Sequence, residues 1–187
     1  MIKALITDFD GTLVDTFQAN LLAYEKSFKE VGRKLTEEAY RKFYGLRFDE
    51  FMSQYGIGSS DERAVIRQAK LEYYPKCFEH LRVNGTLVEI IHTFHALGGK
   101  TAIASTARKE NLHNALNSLN LAGLFDVILT GEDVKSGKPD PEIYTKTMDL
   151  LKVTPAEVLI FEDSEVGIEA AKASGARCIP VTPEWFM

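Results

Sequence analysis

Short apolar runs alternate with segments of helical spacing over residues 86–181. The segments with helical spacing lie at 86–97, 109–120, 140–152 and 165–174. The apolar runs, which have the length of buried strands, lie at 100–105, 125–130, 157–162 and 177–181. Strands that alternate with helices are joined by right-handed crossovers and form a parallel sheet. The pattern therefore predicts an α/β fold with a doubly wound, Rossmann-like parallel sheet.

One more apolar run begins the chain at residues 2–7, and two carboxylates follow it directly, Asp8 and Asp10. Residues two apart in a strand point to the same face, and Gly11 allows the chain to turn away from the sheet. Ligands bind at the carboxyl ends of strands in open α/β sheets. Two like charges that lie close together need a cation or a shared proton, so this strand end predicts a functional site.

The segment 17–81 interrupts the alternation with several helical patterns and no convincing strand. Ser59 followed by Glu62 has the spacing of a capping box and indicates the start of a long helix. We therefore expect an α/β core formed by residues 1–16 and 82–187, with 17–81 as an inserted all-helical domain.

The composition limits the class of partner. A formal net charge of −5 over 187 residues argues against nucleic acid or an anionic membrane as the partner, because both need a broad basic surface. Small anionic substrates need only a few local lysines. The two cysteines, Cys77 and Cys178, have no metal-binding spacing, and there is no long apolar run or targeting leader. We expect a soluble cytoplasmic protein that acts as a monomer.

Polar residues also follow two later strands of the predicted sheet. The strand at 100–105 ends in a hydroxyl at Ser105, and the strand at 157–162 ends in Glu162 with Asp163 next to it. Lys138 lies between them in a Gly-Lys-Pro sequence, where the proline disfavours helix. Acids from two strand ends together with a lysine suit Mg²⁺ and an oxyanion such as phosphate.

Four segments resemble the motifs of the haloacid dehalogenase-like superfamily of phosphotransferases, in the correct order. They are DFDGTLVD at residues 8–15, Ser105, GKPDPEIY at 137–144 and FEDS at 161–164. The last two are most similar to the subgroup that contains β-phosphoglucomutases and phosphoglycolate phosphatase-like enzymes. The helical insertion occupies the place of the C1 cap of that superfamily.

The resemblance implies a role for each motif residue. Asp8 would attack phosphorus and form an aspartyl phosphate, and Asp10 would act as general acid and base. Ser105 would hold phosphate oxygens, and Lys138 would offset negative charge beside Asp8. Mg²⁺ would be held by Asp8, the backbone carbonyl of Asp10, and the acidic pair of motif four, Glu162 and Asp163.

The resemblance also implies substrate-binding residues in both parts of the chain. Those of the core are Gly11, Thr12, Ser105 and Thr106. Those of the helical insertion are Arg47 and Lys70, at positions where sugar-phosphate mutases carry cations that face a second phosphate. The alternative is that both cations are ordinary surface charges.

The function expected from these motifs is hydrolysis of a small phosphorylated metabolite. Asp10 argues against dehalogenation, because a general acid has no role without an alkoxide leaving group. The first alternative is a sugar-phosphate mutase of the β-phosphoglucomutase type. Those mutases have a histidine shortly after motif one where this chain has Asn20, and the difference favours the phosphatase. The second alternative is a non-catalytic binding module on the same scaffold.

Overall fold

A computed structural model describes the whole chain, residues 1–187, and divides it into two compact units. The first unit comprises residues 1–15 and 82–187, and the second comprises residues 16–81. None of the helices in either unit is both long enough and apolar enough to cross a bilayer.

The first unit is organised around a five-stranded sheet in which every neighbouring pair is parallel. Its strands are β1 (Ala4–Thr7), β4 (Lys100–Ala104), β5 (Val127–Leu129), β6 (Val158–Glu162) and β7 (Arg177–Pro180). Their order in the sheet is β5-β4-β1-β6-β7. The first strand of the chain is therefore central, with β4 on one side and β6 on the other. This order places the carboxyl ends of these three strands beside one another.

Four helices alternate with these strands. They are α5 (Gly85–Ala96), α6 (Lys109–Ser118), α7 (Glu142–Leu151) and α8 (Glu165–Ala173). The core between helices and sheet is apolar and includes Ile6 and Ile160 from the central strands and Met148 from α7. The predicted fold class, a doubly wound parallel sheet with an all-helical insertion, is confirmed, and the boundaries of the helices and strands predicted over residues 86–181 are correct to within two residues.

The structure also contains a small antiparallel ribbon that the sequence pattern did not indicate. Its strands are β2 (Val14–Asp15) and β3 (Arg82–Val83), each of two residues. A two-residue strand is too short to show an alternating pattern. The ribbon lies where the chain leaves the first unit and where it re-enters that unit.

The second unit contains only helices. They are α1 (Phe17–Lys29), α2 (Glu37–Phe43), α3 (Phe48–Gln54), α4 (Ser60–Tyr73) and a 3₁₀ helix (Tyr74–His80). Thr36 caps α2 by accepting from the amide of Ala39, and Ser59 caps α4 by accepting from the amide of Glu62. The interior is an aromatic cluster in which the Phe28 and Phe51 rings stack with centroids 5.9 Å apart. The helical insertion therefore has an apolar core of its own.

Candidate active site

The order of the central strands brings acids from distant parts of the sequence together. Asp8 follows β1, and its amide donates to the carbonyl of Phe161 on β6 at 3.0 Å. Glu162 is the last residue of β6 and Asp163 is the next residue. The carboxylates of Asp8, Glu162 and Asp163 each have an oxygen within 4.8 Å of the other two. The predicted gathering of acids at one sheet edge is present in the structure.

Lys138 provides the cation of this cluster. Its Nζ lies 2.7 Å from Asp8 Oδ1 and 2.6 Å from Glu162 Oε2. The side chains of all three residues are buried, with exposed fractions of 4% for Lys138, 8% for Asp8 and 1% for Glu162. Buried ion pairs of this kind need favourable geometry and further hydrogen bonds, because desolvation of the charges is costly.

Both oxygens of Glu162 accept hydrogen bonds from the protein. Oε2 accepts from Lys138 and from the hydroxyl of Tyr144 at 2.5 Å. Oε1 accepts from the hydroxyl of Ser164 at 2.8 Å and from its amide at 3.3 Å. Gly167 in α8 provides room for this carboxylate, since a Cβ there would lie 2.1 Å from Glu162 Cδ. The surrounding contacts therefore fix the orientation of Glu162.

Asp163 is held by the turn that follows β1. Its Oδ1 accepts from the hydroxyl of Thr12 at 2.7 Å. Gly11 has a φ of +85°, and a Cβ on it would lie 2.2 Å from Asp163 Oδ2. Only glycine satisfies both the backbone conformation and the close approach of the carboxylate. Thr12, for which a substrate-binding role was predicted, thus has a defined protein contact with a predicted metal ligand.

Asn84, which directly precedes α5, stabilises the same turn through a hydrogen bond. Its side-chain amide donates to the carbonyl of Thr12 at 3.1 Å, and its Oδ1 accepts from the amide of Leu87 at 3.0 Å. The sequence interpretation missed Asn84 and the Tyr144 hydroxyl. An asparagine just before a helix was a usable signal, because this residue type is favoured at helix N-caps. No sequence signal pairs Tyr144 with Glu162.

Burial and charge crowding shift the proton affinities of the cluster. Burial, together with the negative charges of Glu162, Asp163 and Asp10, raises the pKa of Asp8 well above its usual value, although Lys138 opposes the shift. Burial and the charge of Glu162 raise the pKa of Asp163 to about 6, against the lowering effect of its hydrogen bond from Thr12. Burial opposes the charge on Lys138, but Asp8 and Glu162 raise its pKa well above the usual range, so it stays protonated.

The donor set fits a hard divalent cation. The cluster contains three carboxylates and one lysine, and burial together with repulsion among the acids raises the pKa of Asp8 and Asp163. Mg²⁺ prefers carboxylate and carbonyl oxygens and retains waters for a substrate phosphate. The residues present therefore fit the predicted cofactor.

The family model described as haloacid dehalogenase-like hydrolase matches residues 5–181, which is nearly the whole chain. The protein belongs to this family. The resemblance inferred from the four motifs is thereby confirmed.

The chain is also similar to individual proteins over almost all of its length. The phosphorylated carbohydrates phosphatase of Thermotoga maritima is 32% identical over 181 residues, which cover 95% of this chain and 84% of that protein. The phosphoglycolate phosphatase of Aquifex aeolicus is 29% identical, over 94% of this chain and 83% of its own length. The crystal structure of CbbY from Rhodobacter sphaeroides in complex with phosphate has a TM-score of 0.88 and 27% identity, and covers 97% of this chain and 88% of that chain.

The remaining predicted residues of the core follow the central strands. Ser105 comes directly after β4 and is buried, with its Oγ accepting from the amide of Ala107 at 3.1 Å. Thr106 is half-buried beside it. Asp10 is half-buried and close enough to Asp8 and Asp163 to raise the pKa of both carboxyl groups. Hydroxyl and acid side chains therefore follow the carboxyl ends of β4 and β1, two neighbouring strands of the sheet.

The two predicted cations of the helical insertion differ in their surroundings. Lys70 in α4 is 4% exposed, its Nζ donates to Asn20 Oδ1 at 2.7 Å, and it lies 3.7 Å from the centroid of the Tyr74 ring. Asn20 in turn donates to the hydroxyl of Thr16 at 3.0 Å. Arg47 is half-buried at the start of α3. Lys70 is thus held by neighbours within its own unit and is not an ordinary surface lysine.

Proposed function

We propose that the protein is a magnesium-dependent phosphatase that hydrolyses a small phosphorylated metabolite through an aspartyl phosphate on Asp8. The observation that carries this proposal is the position of Lys138 Nζ, 2.7 Å from Asp8 Oδ1 inside a buried cluster of acids. Phosphoryl transfer depends mainly on positioning and on stabilisation of charge, and a fixed lysine beside a fixed carboxylate supplies both.

Asp8 is the proposed nucleophile because one of its oxygens accepts a hydrogen bond from Lys138 and it directly follows the carboxyl end of the central strand β1. Attack of Asp8 on phosphorus forms the acyl phosphate and breaks the bond to the substrate's ester oxygen. The charge of Lys138 limits the repulsion between the carboxylate and the incoming phosphate. Ser105 would hold a phosphate oxygen through its hydroxyl proton.

Asp10 is the proposed general acid and base. It donates a proton to the ester oxygen that leaves, and the neutral alcohol departs. The same carboxylate then takes a proton from the water that attacks the acyl phosphate, so Asp8 and inorganic phosphate are released. General acid and base catalysis of this kind contributes typically ~10²–10⁴-fold.

Asp8, the Asp10 backbone carbonyl, Glu162 and Asp163 are the groups proposed to hold Mg²⁺. When bound, the ion supplies charge neutralisation for the phosphate oxygens and for the crowded acids. Because Glu162 already accepts hydrogen bonds on both oxygens, we assign the more direct contacts to Asp8 and Asp163. This assignment rests on the donor set and on the excess of negative charge.

We propose that the substrate is a phosphorylated sugar or another small phosphorylated metabolite. Two relatives support this class, because their names include phosphorylated carbohydrates and phosphoglycolate as substrates. Arg47 and Lys70 of the helical insertion, which we propose acts as a cap, are the cations assigned to the part of the substrate away from the reacting phosphate. We further propose a monomeric, cytoplasmic enzyme without a nucleic-acid or membrane partner, in line with the net charge of −5.

Phosphate release from a panel of phosphorylated metabolites, with Mg²⁺ and with a chelator, tests the proposal. We expect turnover that needs Mg²⁺ and that disappears in Asp8→Asn. Asp149→Asn, an exposed acid of α7, is the matched control and should retain full activity. Unchanged turnover in Asp8→Asn would exclude the proposed nucleophile, and no turnover of any ester by the wild type would favour a binding module.

A second assay separates hydrolysis from the mutase alternative. With β-glucose 1-phosphate as substrate, free phosphate and glucose 6-phosphate are measured in the same reaction. We expect phosphate to be the main product, because Asn20 occupies the position where the mutases carry a histidine. Efficient conversion to glucose 6-phosphate with little phosphate would instead assign the protein to the mutases.

A further inference from the structure

Tyr144 contacts both members of the Lys138–Glu162 ion pair. It lies in α7, is fully buried, and belongs to the apolar core between helix and sheet. Its hydroxyl donates to Glu162 Oε2 at 2.5 Å, and the centroid of its ring is 5.0 Å from Lys138 Nζ. A phenylalanine would fill the same space in the core, so packing alone does not account for the hydroxyl.

The hydroxyl occupies a position where an unpaired polar group would be costly. Burying a hydroxyl without a partner is unfavourable in proteins, and the hydrogen bond to Glu162 removes this cost. The benefit is mutual, because a buried carboxylate needs several donors to remain charged. Tyr144 and Lys138 share the same oxygen of Glu162, so the direction of that oxygen sets where Lys138 Nζ can lie.

The contact between Lys138 and Asp8 depends on this arrangement. Lys138 Nζ bridges Glu162 Oε2 and Asp8 Oδ1, so a shift of the Glu162 carboxylate moves the lysine relative to Asp8. The ring of Tyr144 restricts the ammonium group from a third direction. Tyr144 itself makes no hydrogen bond to Asp8 in the structure; its connection to that residue runs through the ion pair.

We propose that Tyr144 is a positioning residue for phosphoryl transfer, which holds Glu162 so that Lys138 keeps its contact with Asp8. This inference rests on the proposed function, because it concerns the geometry of the proposed nucleophile. Residues that orient the groups of a metal or catalytic site through hydrogen bonds typically contribute 10–100-fold to activity or metal affinity. Tyr144 lies in the third motif as an ordinary helix-face aromatic, and its role follows only from its contacts.

Tyr144→Phe tests the proposal, because it keeps the ring and removes only the hydroxyl. We expect kcat to fall about 10–100-fold while KM changes less than about twofold, since the hydroxyl has no proposed contact with substrate. Thr147→Val is the matched control. Thr147 is buried in the same helix and donates to the carbonyl of Ile143 at 2.7 Å, away from the acids. Removal of the Thr147 hydroxyl in Thr147→Val should lower the melting temperature without changing kcat.

A double-mutant cycle with Lys138→Met separates positioning from general stability. If Tyr144 acts through Lys138, Tyr144→Phe causes no further loss of kcat in the Lys138→Met background. A crystal structure of Tyr144→Phe provides a readout that does not depend on activity: Lys138 Nζ should lie farther from Asp8 Oδ1 than in the wild type. Wild-type kcat in Tyr144→Phe, or the same fold-loss in both backgrounds, would overturn the inference.

The same experiments distinguish failure of this inference from failure of the proposed function. If Asp8→Asn abolishes turnover and Tyr144→Phe leaves kcat unchanged, only the role of Tyr144 is wrong. If Asp8→Asn retains turnover, an aspartyl phosphate on Asp8 is excluded. The proposed role of Tyr144, which is to keep Lys138 in contact with the nucleophile, is then wrong as well.

Discussion

Lys138 Nζ and Asp8 Oδ1 lie 2.7 Å apart although 130 residues separate them in the sequence. The pair is buried, and Lys138 is also the partner of Glu162. The lysine therefore supports both the charge of the proposed nucleophile and the stability of the strand ends that carry the acids.

Replacement of this lysine with methionine should affect activity and stability together. We expect Lys138→Met to lower kcat by about 10²–10³-fold, the range found when a group that stabilises developing charge is removed. We also expect the free energy of unfolding to fall by about 3–5 kcal/mol in chelator, because buried carboxylates lose their partner. Urea unfolding and steady-state kinetics measure the two effects, and Lys146→Met, an exposed lysine of α7, is the control. A wild-type free energy of unfolding in Lys138→Met would show that the ion pairs of Lys138 do not stabilise the fold.

Thr12→Val should weaken the proposed magnesium site. The substitution conserves shape but removes the hydroxyl that donates to Asp163 Oδ1. We expect the Mg²⁺ concentration for half-maximal activity to rise about 10–100-fold, whereas Thr12→Ser should stay close to the wild type. A titration of activity with Mg²⁺ measures the change. If Thr12 instead binds substrate directly, Thr12→Val will raise KM at saturating Mg²⁺.

The pKa of Asp163 predicts how stability depends on pH when no metal is bound. Its folded value of about 6 lies above the reference value of 3.8, so the folded protein binds more protons than the unfolded chain between these values. The contribution of Asp163 to the free energy of unfolding of chelated protein should therefore decrease as pH rises from about 4 to about 6 and stay constant at higher pH. Asp8, whose pKa is also raised, acts in the same direction.

Asp163→Asn should remove part of this pH dependence, because asparagine does not titrate. Urea unfolding in chelator at several pH values measures the slope for both proteins. In the wild type, excess Mg²⁺ should reverse the loss of stability near neutral pH, since the ion binds the deprotonated acids. An unchanged slope in Asp163→Asn would show that Asp163 is not the titrating group.

Gly167→Ala should be harmful although glycine is normally unfavourable inside a helix. Alanine usually stabilises a helix by roughly 0.5–1 kcal/mol relative to glycine. Here a Cβ would lie 2.1 Å from Glu162 Cδ, and that carboxylate is held by Lys138, Tyr144 and Ser164. We expect lower thermal stability and lower kcat. Gly85→Ala, at a helical position where a Cβ meets nothing within 4 Å, should be neutral or stabilising.

Lys70→Met should raise KM more than it lowers kcat if the lysine binds the substrate away from its reacting phosphate. Asn20→Ala should raise KM by a smaller factor, because the proposed effect of Asn20 on the substrate is indirect and runs through its hydrogen bond to Lys70 at 2.7 Å. Steady-state kinetics on the best substrate of the panel measures both effects. Unchanged KM in Lys70→Met would restrict this lysine to a structural role in the helical insertion.

Much of the fold and the acids of the site could be predicted from the sequence, because both produce local patterns. Alternating apolar and helical segments indicated the parallel sheet, and Asp8, Glu162 and Asp163 were identified since they lie at or directly after the ends of predicted strands. Lys138 was found only through its motif and the proline beside it. Strand ends are a reliable guide to a site in this fold because ligands bind there.

The contacts that orient the acids could not be predicted in the same way. The hydrogen bond from Thr12 to Asp163 joins residues 151 apart, and the bond from Tyr144 to Glu162 depends on how α7 packs on the sheet. Neither contact leaves a periodic signal. The ribbon formed by β2 and β3 was missed since each strand has only two residues.

The central position of β1 has a consequence for folding. This strand is synthesised before the other strands of its sheet. Both of its edges are hydrogen-bonded only after β4 and then β6 have been synthesised and have paired with it. Such non-local pairing is slow relative to helix formation, and the acids come together only after it. Recovery of enzymatic turnover after dilution from denaturant should therefore lag behind recovery of helical circular dichroism. A growing chain on the ribosome should have no hydrolytic activity until β6 has emerged.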